Sequence, residues 1–151
     1  MNNHTDSSTT VERDFDQIQE LRYNLFQSCS WLNNGTRQFL QPFGITPKQF
    51  SILGILADRA PESLSIQEVR DSLADKMSDA SRLIDRLEKK GLLNKFPSDF
   101  DRRSNRVRIT EKGEKLLKRI NNGQDSLRQL ISDRLEAREV AQLNDLLDRL
   151  K

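Results

Sequence analysis

Residues 101–113 read Asp-Arg-Arg-Ser-Asn-Arg-Val-Arg-Ile-Thr-Glu-Lys-Gly, and this stretch decides the fold. Arg106-Val107-Arg108-Ile109 alternates with period 2, which turns Val107 and Ile109 inward and both arginines to water, as in a half-buried strand. Upstream, Leu92 to Phe96 forms a second short apolar-flanked segment, broken by Pro97. The nine residues between the two, PSDFDRRSN, exceed the roughly 2–5 of most hairpin loops. Long loops with charge at the tip are more often functional than packing devices. Thr110 then reads as the cap of a helix.

Three short helices precede this hairpin. Thr46-Pro47 reads as an N-cap followed by proline at the first helical position, with Gln49 three residues past the cap. Phe50, Ile52, Leu53, Ile55 and Leu56 are dense enough for a buried helix. Ser65 and Glu68 form a second capping box, opening a short helix with Ile66, Val69 and Leu73 inward. A third helix is expected from about Ser78 to Lys90, ending at Gly91 in the usual position for a C-terminal glycine. Its buried set is Ala80, Leu83, Ile84 and Leu87; Ser81, Arg82, Asp85, Arg86, Lys89 and Lys90 occupy the other faces. Three helices and a hairpin describe a winged helix-turn-helix lobe over residues 45–110.

Long helices flank the lobe. After a polar tail expected to be disordered over 1–11, the steps Phe15, Ile18, Leu21, Leu25, Cys29, Leu32, Thr36 and Phe39 describe one stripe on a helix spanning 12–41. A narrow stripe over roughly 25 residues suggests a helix packing along a partner. On the C-terminal side, residues 111–151 carry Leu116, Leu117, Ile120, Leu127, Leu130 and Ile131, then Val140, Leu143, Leu147 and Leu150. Gly123 and Gln124 interrupt the first of these stripes, so the helix bends there or something packs closely against it. The dimerisation candidates are Phe15, Ile18, Leu21, Leu25, Leu127, Leu130, Val140, Leu143, Leu147 and Leu150. The expected class is mainly α with a small β-wing.

Composition narrows the chemistry. Leucines outnumber valines 21 to 4 in 151 residues, favouring helices over strands. The apolar fraction is low for a compact monomer, which points to an elongated protein or a dimer. One cysteine, Cys29, forms no internal disulfide or multi-cysteine zinc site, and one histidine, His4, leaves no His-based triad or metal cluster. The six glycines form neither a dinucleotide fingerprint nor a P-loop. No cofactor, no metal, no membrane segment and no enzymatic constellation is expected, and the default setting is the cytoplasm. The net charge of +2 is uneven: between Lys76 and Arg108 there are ten basic and five acidic residues, so this segment carries +5 and the remainder −3. A basic excess on the reading head is the footprint of a duplex-DNA binder.

At this point the residues resemble a known family. Asp101 through Gly113 matches the D-x-R…v-x-L-T-e-x-G wing signature of MarR-type transcriptional regulators. Ser81 to Leu92 looks like that family's recognition helix, and Thr46-Pro47-Lys48-Gln49-Phe50 is similar to the opening of its second helix. The likeness covers nearly the whole chain after the tail. It implies an obligate homodimer whose terminal helices interlock while two winged lobes straddle pseudo-palindromic DNA, and it implies that Asp101 braces the wing through an ion pair.

Roles follow from geometry. A recognition helix reads base edges mainly from its N-terminal residues, here Lys76, Ser78, Asp79, Ser81 and Arg82, with Arg86 one turn further. Either arginine could pair guanine or hold a phosphate. Arg103 is the arginine expected in a narrow minor groove, and Arg102, Asn105 and Arg106 are phosphate-contact candidates. Tyr23 and Trp31 could line a crevice for a small aromatic or acidic effector, although interface packing is the simpler reading. Cys29, on the apolar stripe, is expected to be buried and inert, since thiol reactivity needs exposure and a lowered pKa. The reading is a homodimeric repressor relieved by a small ligand. A thiol-based redox sensor acting through Cys29 and a winged-helix protein-interaction module without specific DNA contacts are the alternatives.

Overall fold

The computed structural model describes residues 6–75, 79–98 and 104–150, with side chains from Asp16 onward. Its elements are α1 (Asp6–Leu40), a 3-10 turn (Gln41–Phe43), α2 (Pro47–Asp58), β1 (Leu64–Ser65), α3 (Ile66–Ser72), α4 (Ala80–Lys89), β2 (Leu93–Pro97), β3 (Asn105–Ile109), α5 (Glu111–Asn122), α6 (Asp125–Ser132) and α7 (Ala137–Asp148). The caps expected from sequence are formed. The Thr46 hydroxyl accepts the Gln49 N–H at 3.3 Å and the Gln49 side chain accepts the Thr46 N–H at 3.1 Å. Ser65 and Glu68 repeat the arrangement at α3, at 3.1 and 2.6 Å. Each box satisfies two of the N–H groups that a helix start leaves without intrahelical partners.

The buried apolar residues run from Leu40 to Ile120 and centre on α2, α3, α4 and the strands, with Ile52, Leu53, Leu56, Val69, Ile84, Leu87 and Val107 fully enclosed. The period-2 strand is confirmed: Val107 and Ile109 are buried and Arg108 is exposed. The sheet has three strands rather than two, in the antiparallel order β1-β3-β2. Leu64 pairs with Val107 across β1 and β3, and Leu93 pairs with Ile109 across β2 and β3. A two-residue strand is too short for any period to reveal.

One junction holds lobe and wing together. α4 ends in a left-handed glycine, Gly91 (φ 70°), with the Gly91 N–H on the Glu88 carbonyl and the Leu92 N–H on the Leu87 carbonyl at 2.7 and 3.0 Å. These are the two bonds of a Schellman motif. The start of α5 then seats on that turn. The Thr110 N–H donates to the Leu92 carbonyl at 3.1 Å, and its hydroxyl donates to the Gly91 carbonyl at 2.7 Å while accepting the Gly113 N–H at 3.2 Å. Lys112 Nζ donates to the Lys90 carbonyl at 2.7 Å. A Cβ on Gly113 would lie 2.2 Å from the Leu92 oxygen and 2.7 Å from Ile109 Cγ1, so the close approach requires glycine.

The terminal helices differ from expectation at one end of α1, and at Gly123-Gln124 the first of the two expected alternatives holds. α1 starts at Asp6, not at 12 after a tail reaching 11, because extending an existing helix gains one hydrogen bond for each residue fixed. The C-terminal helix breaks at Gly123-Gln124 into α5 and α6. A Cβ on Gly123 would meet nothing closer than 3.6 Å, so the break is a bend and not a close-packing site. Close packing occurs instead at Gly35, where a Cβ would approach Leu130 Cδ1 to 2.7 Å as α6 passes α1.

Gly113→Ala should cost about 1–3 kcal/mol, because the obstructing atom is backbone and cannot rotate away. Gly54→Ala, inside α2 with open space at its Cβ, should stabilise by about 0.5–1 kcal/mol. Thermal unfolding of the two variants measures this opposite response; equal shifts would remove the special status of Gly113. A second prediction concerns Glu68, held below the ordinary carboxylate range first by the Ser65 N–H, then by the Ser65 hydroxyl and the charge of Arg106. A depressed carboxylate contributes stability that is present above its unfolded pKa and lost as pH falls through the folded value. Glu68→Gln should therefore be less stable than the parent at neutral pH, with the gap closing on acidification.

Candidate nucleic-acid interface

α4 buries Ala80, Ile84 and Leu87 against the core and presents Arg82, Arg86 and Lys89 outward. Asp79 caps the helix: its carboxylate accepts the Arg82 N–H at 3.3 Å and pairs with Arg82 Nε at 3.0 Å. The helix therefore begins at Ala80, two residues later than the expected Ser78, and Asp79, expected among the base readers, is engaged as cap and ion-pair partner. An exposed pair of this kind contributes only ~0.2–1 kcal/mol, so Arg82 can leave it for a guanine or a phosphate at little cost. Ser81 is half-buried beside it. Lys76 and Ser78 lie outside the described residues.

The wing root is pinned from both sides. On one side, Lys95 of β2 pairs with Asp85 of α4 at 2.7 Å. That hydrogen bond raises the Lys95 pKa above its ordinary value, so the ammonium persists well beyond neutral pH. On the other, Arg106 Nε donates to Ser63 Oγ at 2.8 Å, its Nη2 donates to the Ser63 carbonyl, and Nη1 lies 3.8 Å from Glu68. Arg106 was expected to face water and contact phosphate. Its half-buried guanidinium instead ties β3 to the segment before α3, because Ser63 and the α3 cap offer acceptors within reach. Asn105 is half-buried opposite Pro97 at the end of the ladder, and the Ser98 N–H donates to the Ser104 carbonyl at 2.9 Å. Arg108 packs over the Phe96 ring at 5.8 Å. Asp101, Arg102 and Arg103 lie outside the described residues. The strut from Asp85 to Lys95 was not anticipated; the one usable signal was a lone lysine in a short strand facing a helix that carries aspartate.

The expected dimerisation stripe is largely exposed on this chain. Ile18, Leu21, Leu143 and Leu150 face solvent, as do Phe26 (73% exposed), Ile131 and Leu146, while Leu25, Leu127, Leu130, Val140 and Leu147 are half-buried. The Phe15 side chain lies outside the described residues. Cys29 is exposed, contrary to the expectation of a buried thiol, because at 100° per residue it falls on the side of α1 away from Gln27, Trp31 and Gly35, which face α6. Trp31 stacks under the Arg134 guanidinium at 4.8 Å and lines a groove of about 540 Å³ between α1 and α6 with Gln27, Leu130 and Ile131. Tyr23 is exposed and does not line that groove, so the two aromatics are not brought together. Among the described residues, no helix is long and apolar enough to cross a membrane and no group of three or more His, Cys, Asp or Glu could hold a metal ion.

Comparisons with known proteins agree with this geometry. Residues 43–104 match the family model described as MarR family. The chain is 29% identical over 106 residues to the HTH-type transcriptional regulator PapX of Escherichia coli, an alignment covering 68% of this chain and 65% of PapX, just under two thirds of that protein. It is 28% identical over 121 residues to the transcriptional repressor MprA of E. coli K12, covering 80% of this chain and 69% of MprA. The fold superposes with a TM-score of 0.79 on a mutant of E. coli MarR crystallised with operator DNA, at 28% identity over 90% of this chain and 96% of that one. These relatives are named as transcriptional regulators, not enzymes. Over residues 43–104 the chain is similar to the MarR family, and its fold is like that of the winged helix-turn-helix regulator MarR of E. coli.

Proposed function

We propose that this protein is a sequence-specific DNA-binding transcriptional regulator, acting as a homodimer on a pseudo-palindromic operator. The observation that carries the reading is the exposed basic ridge of α4, Arg82, Arg86 and Lys89, on a lobe whose wing root is fixed to α4 through Asp85 and Lys95. The same architecture in E. coli MarR was crystallised with operator DNA. A helix inserted in the major groove needs a rigid scaffold beside it, and the two struts supply one. Arg82, Arg86 and Ser81 are the base- or phosphate-contacting candidates on α4, joined by Lys76 and Ser78. Arg102, Arg103 and Asn105 serve the wing, and Asp101 braces it.

Dimerisation rests on the apolar residues that α1, α6 and α7 leave uncovered. Large exposed apolar patches mark interaction surfaces, and a second copy supplies an equally elongated apolar surface. Repression is the favoured sign, the one named for MprA. Effector control would act by favouring a different separation of the two lobes from the roughly 34 Å of one helical turn. The Trp31–Arg134 groove is the candidate site for an aromatic or acidic effector. The exposed thiol of Cys29 keeps redox sensing as a second reading; loss of an oxidant response in Cys29→Ser would mark it.

Two measurements test the proposal. Affinity for duplex DNA should fall steeply with salt, and Arg82→Ala should weaken binding by about 1–3 kcal/mol if it pairs a base, or lower the salt slope by about one if it holds a phosphate. An unchanged affinity and slope would remove Arg82 from the interface, and a flat salt response in the parent would favour a protein-interaction module. In sedimentation, the parent should run as a dimer, whereas Leu143→Asp paired with Leu21→Asp should run as a monomer or fail to fold. A monomeric parent would contradict the dimer.

A further inference from the structure

Of the three cations on the outward ridge of α4, Arg82 is paired with a carboxylate, whereas Arg86 and Lys89 have no ion-pair partner among the described residues. The carboxylate belongs to Asp79, the residue before the helix, and both of its oxygens are engaged. Oδ1 accepts the Arg82 backbone N–H at 3.3 Å, and Oδ2 lies 3.0 Å from Nε of the same arginine. A short side chain fixed at one oxygen by a capping bond presents the other oxygen in one place. Arg82 is thus held at the inner end of its guanidinium, while its side chain remains 81% exposed.

A guanidinium carries five N–H donors on one rigid plane. The contact with Asp79 runs through Nε, so the outer edge, with one parallel N–H on each Nη, points away from the carboxylate. That edge is the fork that matches O6 and N7 of guanine in the major groove. Reaching a guanine therefore does not require Arg82 to leave Asp79. A phosphate on the same fork would stand close to the Asp79 carboxylate, and the two negative charges repel; the guanine edge carries no net charge. An arginine held before binding also loses less rotamer freedom on contact. The pair is weak in water, and it strengthens as the groove excludes water around it.

We propose that Asp79 is a specificity-determining positioning residue: by holding Arg82 through Nε, it directs the Nη fork to a guanine of the operator and away from the phosphates. The inference rests on the DNA-binding reading and names what one residue of that interface recognises. Asp79 acts through Arg82 and reads no base itself. Its charge opposes binding to every sequence alike, whereas the discrimination it confers falls on one position in each half-site.

The test starts from the operator that the full-length parent selects out of a random duplex pool. Dissociation constants are then measured for duplexes carrying each of the four bases at each half-site position, over a range of salt concentrations. In the parent, guanine at one position should be preferred by about tenfold or more, and Arg82→Ala should abolish that preference. Asp79→Asn retains an oxygen for the cap but places an amide N–H₂ where Oδ2 stood, so it removes the acceptor for Nε and keeps the helix start. It should reduce the guanine preference to within about threefold, leave binding to the base-substituted duplex no weaker, and steepen the salt slope by up to about one as Arg82 turns to a phosphate. Its unfolding temperature should match the parent's, since Asn and Asp cap comparably. An undiminished guanine preference in Asp79→Asn overturns the proposal. So does equal weakening for all four bases with a lowered unfolding temperature, which would leave Asp79 a cap only. A changed preference at another position that persists in the Arg82→Ala background would make Asp79 a reader in its own right, and also overturns it. A parent that binds no duplex refutes the DNA-binding reading itself, whereas a parent whose guanine preference survives Asp79→Asn refutes the positioning role alone.

Discussion

The seating of Thr110–Gly113 on the Gly91–Leu92 turn is the constraint on which the rest of the molecule depends. Four elements meet there: the end of α4, the start of β2, the end of β3 and the first turn of α5. The Thr110 N–H and hydroxyl close on consecutive carbonyls, and Gly113 lets the helix come within van der Waals reach of the Leu92 oxygen. Because these bonds are backbone-mediated and made within a few residues of one another, they fix the direction of the wing relative to α4 and of α5 relative to both. The Thr-x-x-Gly portion of the sequence motif is thus a packing device.

From that junction the lobe is stiffened asymmetrically. At 100° per residue, Asp85 and Glu88 fall on the flank of α4 that faces the wing, whereas Arg86 and Lys90 fall on the flank facing α1 and α2. Asp85 holds the wing through Lys95, and Lys90 holds the α1–α2 turn through the Gly44 carbonyl. Between these flanks, Arg82 and Lys89 form the centre of the outward ridge, with Arg86 at its edge toward α1 and α2. The basic excess of the reading head is thereby divided: part is exposed on the outward ridge, and part is structural.

Local rules made much of this legible. The caps at Thr46, Ser65 and Thr110, the glycine stop at Gly91 and the inward Val107 and Ile109 each depend on residues within a few positions of one another, and each forms as read. What escaped depends on long-range partners. Alternation places Arg106 on the outer face of β3 but says nothing of Ser63, 43 residues away, whose oxygens draw the guanidinium down. The exposure of Cys29 follows from its place on the side of α1 that does not meet α6, which a stripe alone cannot reveal. Tyr23 and Trp31 share a helix, but only Trp31 meets α6 and Arg134. Asp79 looked like a reader because it stands at the right end of α4, and the capping geometry accounts for it more simply.

The most direct test of the account is selection of bound sequences from a random duplex pool by the full-length protein, because it reports DNA binding, specificity and symmetry together. The account predicts an enriched pseudo-palindrome whose half-site centres lie about one helical turn, ~34 Å, apart, as two α4 helices on a two-fold dimer require. Recovery of an unenriched pool, or of a single half-site without its inverted partner, would contradict it.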